Sequence, residues 1–205
     1  GWVSGRSLPT DGSGLDENQP ADFEGVTCTV CHRMVDPVAR PENPDEDDPI
    51  RNALINAGML PTSPGSGNFI IDPNDVRRGP FAHVPPNGFN HNPYPNIPNN
   101  LHGVPIIQSP FHKTAELCAT CHDVSNPVMT RQPDGAYLPN DTGVAHVSQN
   151  KYDMFPLERT FSEWANSQYA SIGVQANGVF GGNHPTGIMH MCQDCHMPDV
   201  DTYAC

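Results

Sequence analysis

Cys28-Thr29-Val30-Cys31-His32, Cys118-Ala119-Thr120-Cys121-His122 and Cys192-Gln193-Asp194-Cys195-His196 are three copies of one pattern. They use six of the seven cysteines in the 205-residue chain. Cys-x-x-Cys-His is the attachment signature of c-type haem. Three-residue spacing sets both sulfurs on one side of a helical turn, where each can form a thioether to a vinyl group of the same porphyrin. The histidine that follows is then presented to the iron. Zinc knuckles call for cysteines in fours or for matched Cys/His sets, which these pairs do not supply. A thioredoxin-like centre expects one Cys-x-x-Cys after a strand in a βαβ pattern, and none is visible. A disulfide framework does not require His after every pair. The reading is therefore three covalently bound haems c, with Cys28, Cys31, Cys118, Cys121, Cys192 and Cys195 as anchors. His32, His122 and His196 are their proximal iron ligands.

The rest of the composition supports a prosthetic core. The chain has 23 Pro and 18 Gly, one residue in five. Leu, Ile, Val and Phe together make up just under a fifth. With a net charge of −13, such a chain lies at the border of the disordered class. Burial of its own side chains should not offset chain entropy, and three porphyrins would supply the missing apolar surface. The expected fold is mostly irregular with a few short α-helices, cored by haem, with little or no β-sheet. Residues 1–205 form a single triheme domain in this reading.

Ten histidines are present, three in the motifs and seven besides: His83, His91, His102, His112, His146, His184 and His190. Three six-coordinate haems need three of the seven. The methionines nearest the motifs, Met34, Met189, Met191 and Met197, are read as packing groups, because each is too close to its own motif to reach the opposite haem face.

Residues 1–27 are polar and Gly/Ser-rich and read as an extended arm. The acidic, Pro-bounded run at 36–49 reads as a solvated loop, with a calcium site the less favoured alternative. Residues 50–60 suggest a short helix closed by Gly58. Residues 61–110 carry eleven prolines and many Asn; they read as an irregular loop wrapping the haems. Ser109-Pro110 has the form of a helix start leading into the second motif. Leu157 to Ile172 should be the longest helix, with Leu157, Phe161, Trp164 and Gln168 on one stripe and Gly173 as its stop. A last short helix should span the third motif and end before Pro198. The motifs are unequally spaced, so no simple repeat is expected.

The chain has no apolar run of transmembrane length. Haem c is attached outside the cytoplasm, so Gly1 reads as the start left by removal of a signal peptide, and the protein as periplasmic or extracellular. The acidic balance speaks against nucleic acid and anionic membrane surfaces.

Four segments together carry a resemblance: Gly25-Val-Thr-Cys28-Thr-Val-Cys31-His32, Ser109-Pro-Phe-His112-Lys-Thr-Ala-Glu-Leu-Cys118-Ala-Thr-Cys121-His122-Asp123, Leu157-Glu-Arg-Thr-Phe-Ser-Glu-Trp164-Ala-Asn-Ser, and Cys192-Gln-Asp-Cys195-His196-Met197-Pro198. Over roughly residues 25–200 the chain resembles secreted bacterial multihaem c-type cytochromes and is distantly similar to the hydroxylamine oxidoreductase group. Filament-forming cytochromes are similar in composition and haem economy. The resemblance implies bis-His haems stacked in van der Waals contact that pass electrons. It implies His112 as one distal ligand and His102 as another. His190 comes third, serving a neighbouring haem because it is too close to its own, followed by His146, His184 and His83.

The functional expectation is electron transfer to other redox proteins or extracellular acceptors, with a homo-oligomer or filament as the assembled form. The alternative is a multihaem oxidoreductase, or its subunit, acting on small nitrogen or sulfur compounds. That activity needs a haem with an open face, and no residue here marks one. Cys205 is unpaired by count. It reads as the opening of a further motif, a bridge to another subunit, or a buried thiol.

Overall fold

The computed structural model describes residues 13–19, 26–74, 76–80, 106–144, 146–148, 150–176, 178 and 184–198. Most of the 1–27 arm and of the 61–110 loop, with His83, His91 and His102, lies outside them, as does Cys205.

The first motif is itself a helix, α1 (Cys28–His32), entered from extended Thr27. Strand β1 (Met34–Val35) follows and pairs antiparallel with β2 (Ile70–Ile71). Between them runs α2 (Asp47–Asn56), which starts inside the acidic run because Asp47 and Asp48 favour the positive end of the helix dipole. Gly58, at φ +65°, ends it in the place expected. Strand β3 (Arg77–Gly79) pairs in parallel with β4 (Ile106–Gln108). Pro110–Lys113 forms a 3₁₀ turn, and α3 (Ala115–Ala119) leads into the second motif. The expected continuous helix from Ser109 is thus two pieces, broken where Thr114 is extended.

A three-stranded antiparallel sheet comes next, ordered β6-β5-β7, from β5 (Ser125–Arg131), β6 (Tyr137–Pro139) and β7 (Met154–Pro156). The expected long helix at 157–172 is two short ones, α4 (Thr160–Ala165) and α5 (Gln168–Ser171). Ser167 causes the break, since its hydroxyl caps the new helix by accepting from the Tyr169 amide. Gly173 stops α5 at φ +77°. Strands β8 (Val174–Gln175) and β9 (Ile188–Met189) pair, and α6 (Cys192–His196) carries the third motif.

The expectation of little or no β-sheet is therefore corrected. The described residues hold six short α-helices and nine short strands in four small sheets, a mixed α/β architecture. Three of the sheets have strands of only two or three residues, drawn from distant parts of the chain. Such strands are too short to show an alternating pattern. The β5–β6 hairpin carries a local turn signal that the sequence expectation missed: Pro133-Asp134-Gly135 sits between Val128-Met-Thr-Arg131 and Ala136-Tyr-Leu138. Gly135 takes φ +88° and Asp134 accepts from the Ala136 amide at 3.0 Å.

The apolar core of the described residues is small. Val30, Met34 and Phe111 form its buried centre, with Phe69, Ile71 and Leu117 against them. It joins the first motif to the approach to the second. Among the described residues the buried polar and charged ones, Arg78, Asp36, Asp47, Asp72, Asp123 and Lys151 among them, outnumber the buried apolar ones. The acidic run is therefore not wholly solvated. Asp36 accepts from Arg40 at 2.5 Å, and Asp47 accepts from Arg78 at 2.7 Å.

Candidate haem-binding site

In α1 the i, i+3 spacing puts Cys28 and Cys31 on one helical face, with His32 at the helix end. The Nδ1 of His32 lies 2.5 Å from the carbonyl oxygen of Arg78 in β3. A carbonyl only accepts, so Nδ1 carries the proton and donates. That leaves Nε2 with its lone pair free, the arrangement of a metal-ligating imidazole held by a backbone carbonyl.

In the second motif the His122 amide donates to Cys118 at 2.8 Å, wrapping the chain into one more turn beyond α3. Asp123, fully buried, follows at once. It accepts from Lys151 and from the Ser162 hydroxyl, so α4 and the 3₁₀ turn Lys151–Asp153 are locked beneath the motif. The His122 ring itself is exposed. In the third motif Asp194 accepts from the amides of His190 and Met191 at 2.7 and 2.9 Å, which fixes the start of α6. Gln193 reaches across to donate to the Thr114 carbonyl at 2.7 Å, docking α6 on the approach to α3.

The three motifs meet. The Cys118 and Cys192 thiols interact, which pushes Cys118 up and holds Cys192 below the ordinary thiol range. Burial raises the Cys31 thiol, and the neighbouring Cys121 and Cys28 add to the effect. The sulfurs of the second motif thus neighbour those of both the first and the third. A cavity of about 740 Å³ opens at this junction, lined by Cys31, His32, Cys118, Cys121 and His122, together with Gln193 and Asp194 of α6. Its size is in the range of cofactor sites. Cys195 is half-buried at the far end of α6, and the His196 ring is exposed.

Of the described spare histidines, His112 and His184 line this cavity. His112 is buried, and its ring lies nearly parallel to that of His32, at 9° and 5.7 Å between centroids. Its Nε2 donates to the Cys31 carbonyl at 2.9 Å, while its buried Nδ1 has no hydrogen-bond partner. Burial lowers its pKa to about 4, so at neutral pH it is the uncharged imidazole that a metal needs. His190 lies elsewhere: its ring packs against Gly173, and its carbonyl accepts from the Trp164 indole at 2.7 Å. His146 uses Nδ1 to accept from the Ser148 amide at 3.1 Å. His184 ranked low in the sequence reading, since nothing local marks it; only the fold brings it to the cavity. Met34 and Met189 are buried packing groups, whereas Met197 is largely exposed.

The residues present fit a covalently held porphyrin. The junction offers free sulfurs, a free Nε2 on His32, an orphaned Nδ1 on His112 and a cavity between them. No three His, Cys, Asp or Glu among the described residues converge as a bare-ion site. Haem ligation does not need such a group, since the porphyrin supplies four of the six donors. None of the helices among the described residues is long and apolar enough to cross a membrane. Comparison of the chain with protein-family models, curated proteins and solved structures gave no match.

Proposed function

We propose that the chain is an exported electron carrier holding three haems c. The observation that carries this reading is the gathering of sulfurs from three Cys-x-x-Cys-His motifs at one junction. Each bound haem would supply an iron that alternates between ferrous and ferric states. The chain's part is to anchor, ligate and space these groups. Cys28 and Cys31, Cys118 and Cys121, and Cys192 and Cys195 are the anchors. His32, His122 and His196 are the proximal ligands, and His112 is a distal one. Neighbouring sulfurs favour closely spaced porphyrins, and close spacing is what electron transfer between them requires.

The site of action in this proposal is the periplasm or the exterior, with redox proteins or extracellular acceptors as partners. Copies of the chain assemble head to tail, so that terminal haems meet across the interface. A heterologous contact of this kind propagates as a filament when its rotation does not close. Light scattering on the holoprotein with electron microscopy tests the assembly, and a monomer at high concentration rejects it.

The central test is mass spectrometry of the protein from a host able to attach haem c, with a pyridine haemochrome spectrum. Three covalent haems per chain are expected. Zinc without haem would overturn the proposal.

A further inference from the structure

We propose that Arg78 is a positioning residue for the first haem ligand, with Asp47 and Asp72 as its anchors. The inference rests on the reading of His32 as an iron ligand. The Arg78 side chain is fully buried, as is Asp47, and Asp72 nearly so. Every nitrogen of its guanidinium is used. Nε donates to Asp47 Oδ1 at 2.7 Å, Nη2 to Asp72 Oδ2 at 2.8 Å, and Nη1 to the Val76 carbonyl at 2.9 Å. The anchors are themselves held. Asp47 lies in α2 with Arg51 at 3.7 Å, and the Asp72 carbonyl accepts from Arg33. The backbone oxygen of Arg78 itself takes the Nδ1 proton of His32 at 2.5 Å.

Burying one Arg and two Asp adds little net stability over apolar residues of the same size. It does fix geometry, because a planar guanidinium with three directed bonds has one orientation. Here that orientation sets where the Arg78 carbonyl sits, and the carbonyl sets the tautomer and rotation of the His32 ring. A strong hydrogen bond to Nδ1–H makes the imidazole a better donor to iron and stabilises the ferric state. Loosening the anchor should therefore raise the potential of one haem and leave the other two unchanged.

The experiment is redox titration and paramagnetic NMR on holoprotein with Asp47→Asn, Asp72→Asn and Arg78→Lys. The lysine variant keeps the charge and loses the fork. In each, one of three redox transitions should move to higher potential, and the hyperfine-shifted signals of one haem should change. Three haems with unchanged potentials and signals would overturn the positioning role, even if stability falls. A wild type without haem would instead overturn the functional proposal. Should the variants not fold, solvent exchange of the His32 Nδ1 proton in ferrous wild type decides. Protection supports the bond to Arg78, and exchange at the rate of an exposed imidazole refutes it.

Discussion

His112 combines burial, a lowered pKa and an unpartnered Nδ1. A buried nitrogen without a partner costs roughly 1 to 3 kcal/mol, a cost that metal ligation would remove. Its ring stacks near-parallel beside that of His32, with centroids 5.7 Å apart, so both imidazoles border the same cavity. The expected outcome for His112→Ala is one high-spin haem that binds carbon monoxide, read from the absorption spectrum. His190→Ala should leave all three haems low-spin, because that ring faces Gly173 rather than the cavity. At Gly65 the constraint is backbone. Its φ is +123°, and a Cβ would lie 2.4 Å from the Asp123 carbonyl oxygen. Gly65→Ala should lower holoprotein stability by about 1 to 3 kcal/mol through strain alone, measured by chemical denaturation.

At the scale of elements, small pieces are stitched together by buried charge. Asp123 follows the second motif and is paired with Lys151, while Arg159 lies 3.8 Å away. This node ties β5, the 3₁₀ turn before β7 and α4 to the loop bearing Cys121 and His122. Replacing Lys151 by Met would leave Asp123 buried with its nearest cation removed. The expected loss is about 3 to 5 kcal/mol, the usual cost of breaking a buried pair from one side; a shift in denaturation midpoint checks it. Asp123→Asn should cost less, since the amide oxygen still accepts from Lys151 and Ser162. The same logic explains why α2 begins at Asp47 rather than at Ile50, as the apolar pattern suggests: a carboxylate there meets both the helix dipole and Arg78.

For the whole molecule, the decisive quantity is how little apolar surface the chain can bury on its own. Among the described residues the central apolar cluster is three buried residues with three half-buried neighbours, little to set against the ordering entropy of those residues. The haem-free chain should therefore lack the cooperative thermal transition of the holoprotein, as followed by calorimetry. Replacing Cys118 and Cys121 together should leave the central region protease-sensitive, because the second motif adjoins both others. Limited proteolysis with mass mapping tests this; resistance equal to the wild type would count against a haem core.

The chemistry proposed for the site was readable in the sequence alone. Cys-x-x-Cys-His is local, so its three copies and the α-helix over the third could be read from neighbouring residues. Gly58 and Gly173 were readable as helix ends for the same reason. The two-stranded sheets were not, because pairs such as Met34 with Ile71 or Arg78 with Ile107 join residues far apart in the chain, and two- or three-residue strands carry no periodic signal. Among the spare histidines the sequence ranks His112 first and His190 above His184; only the tertiary structure turns His112 and His184, rather than His190, toward the cavity. Arg78 was invisible for a deeper reason. Its proposed role lies in a backbone oxygen, which every residue has, and in two carboxylates distant in sequence that hold it in place.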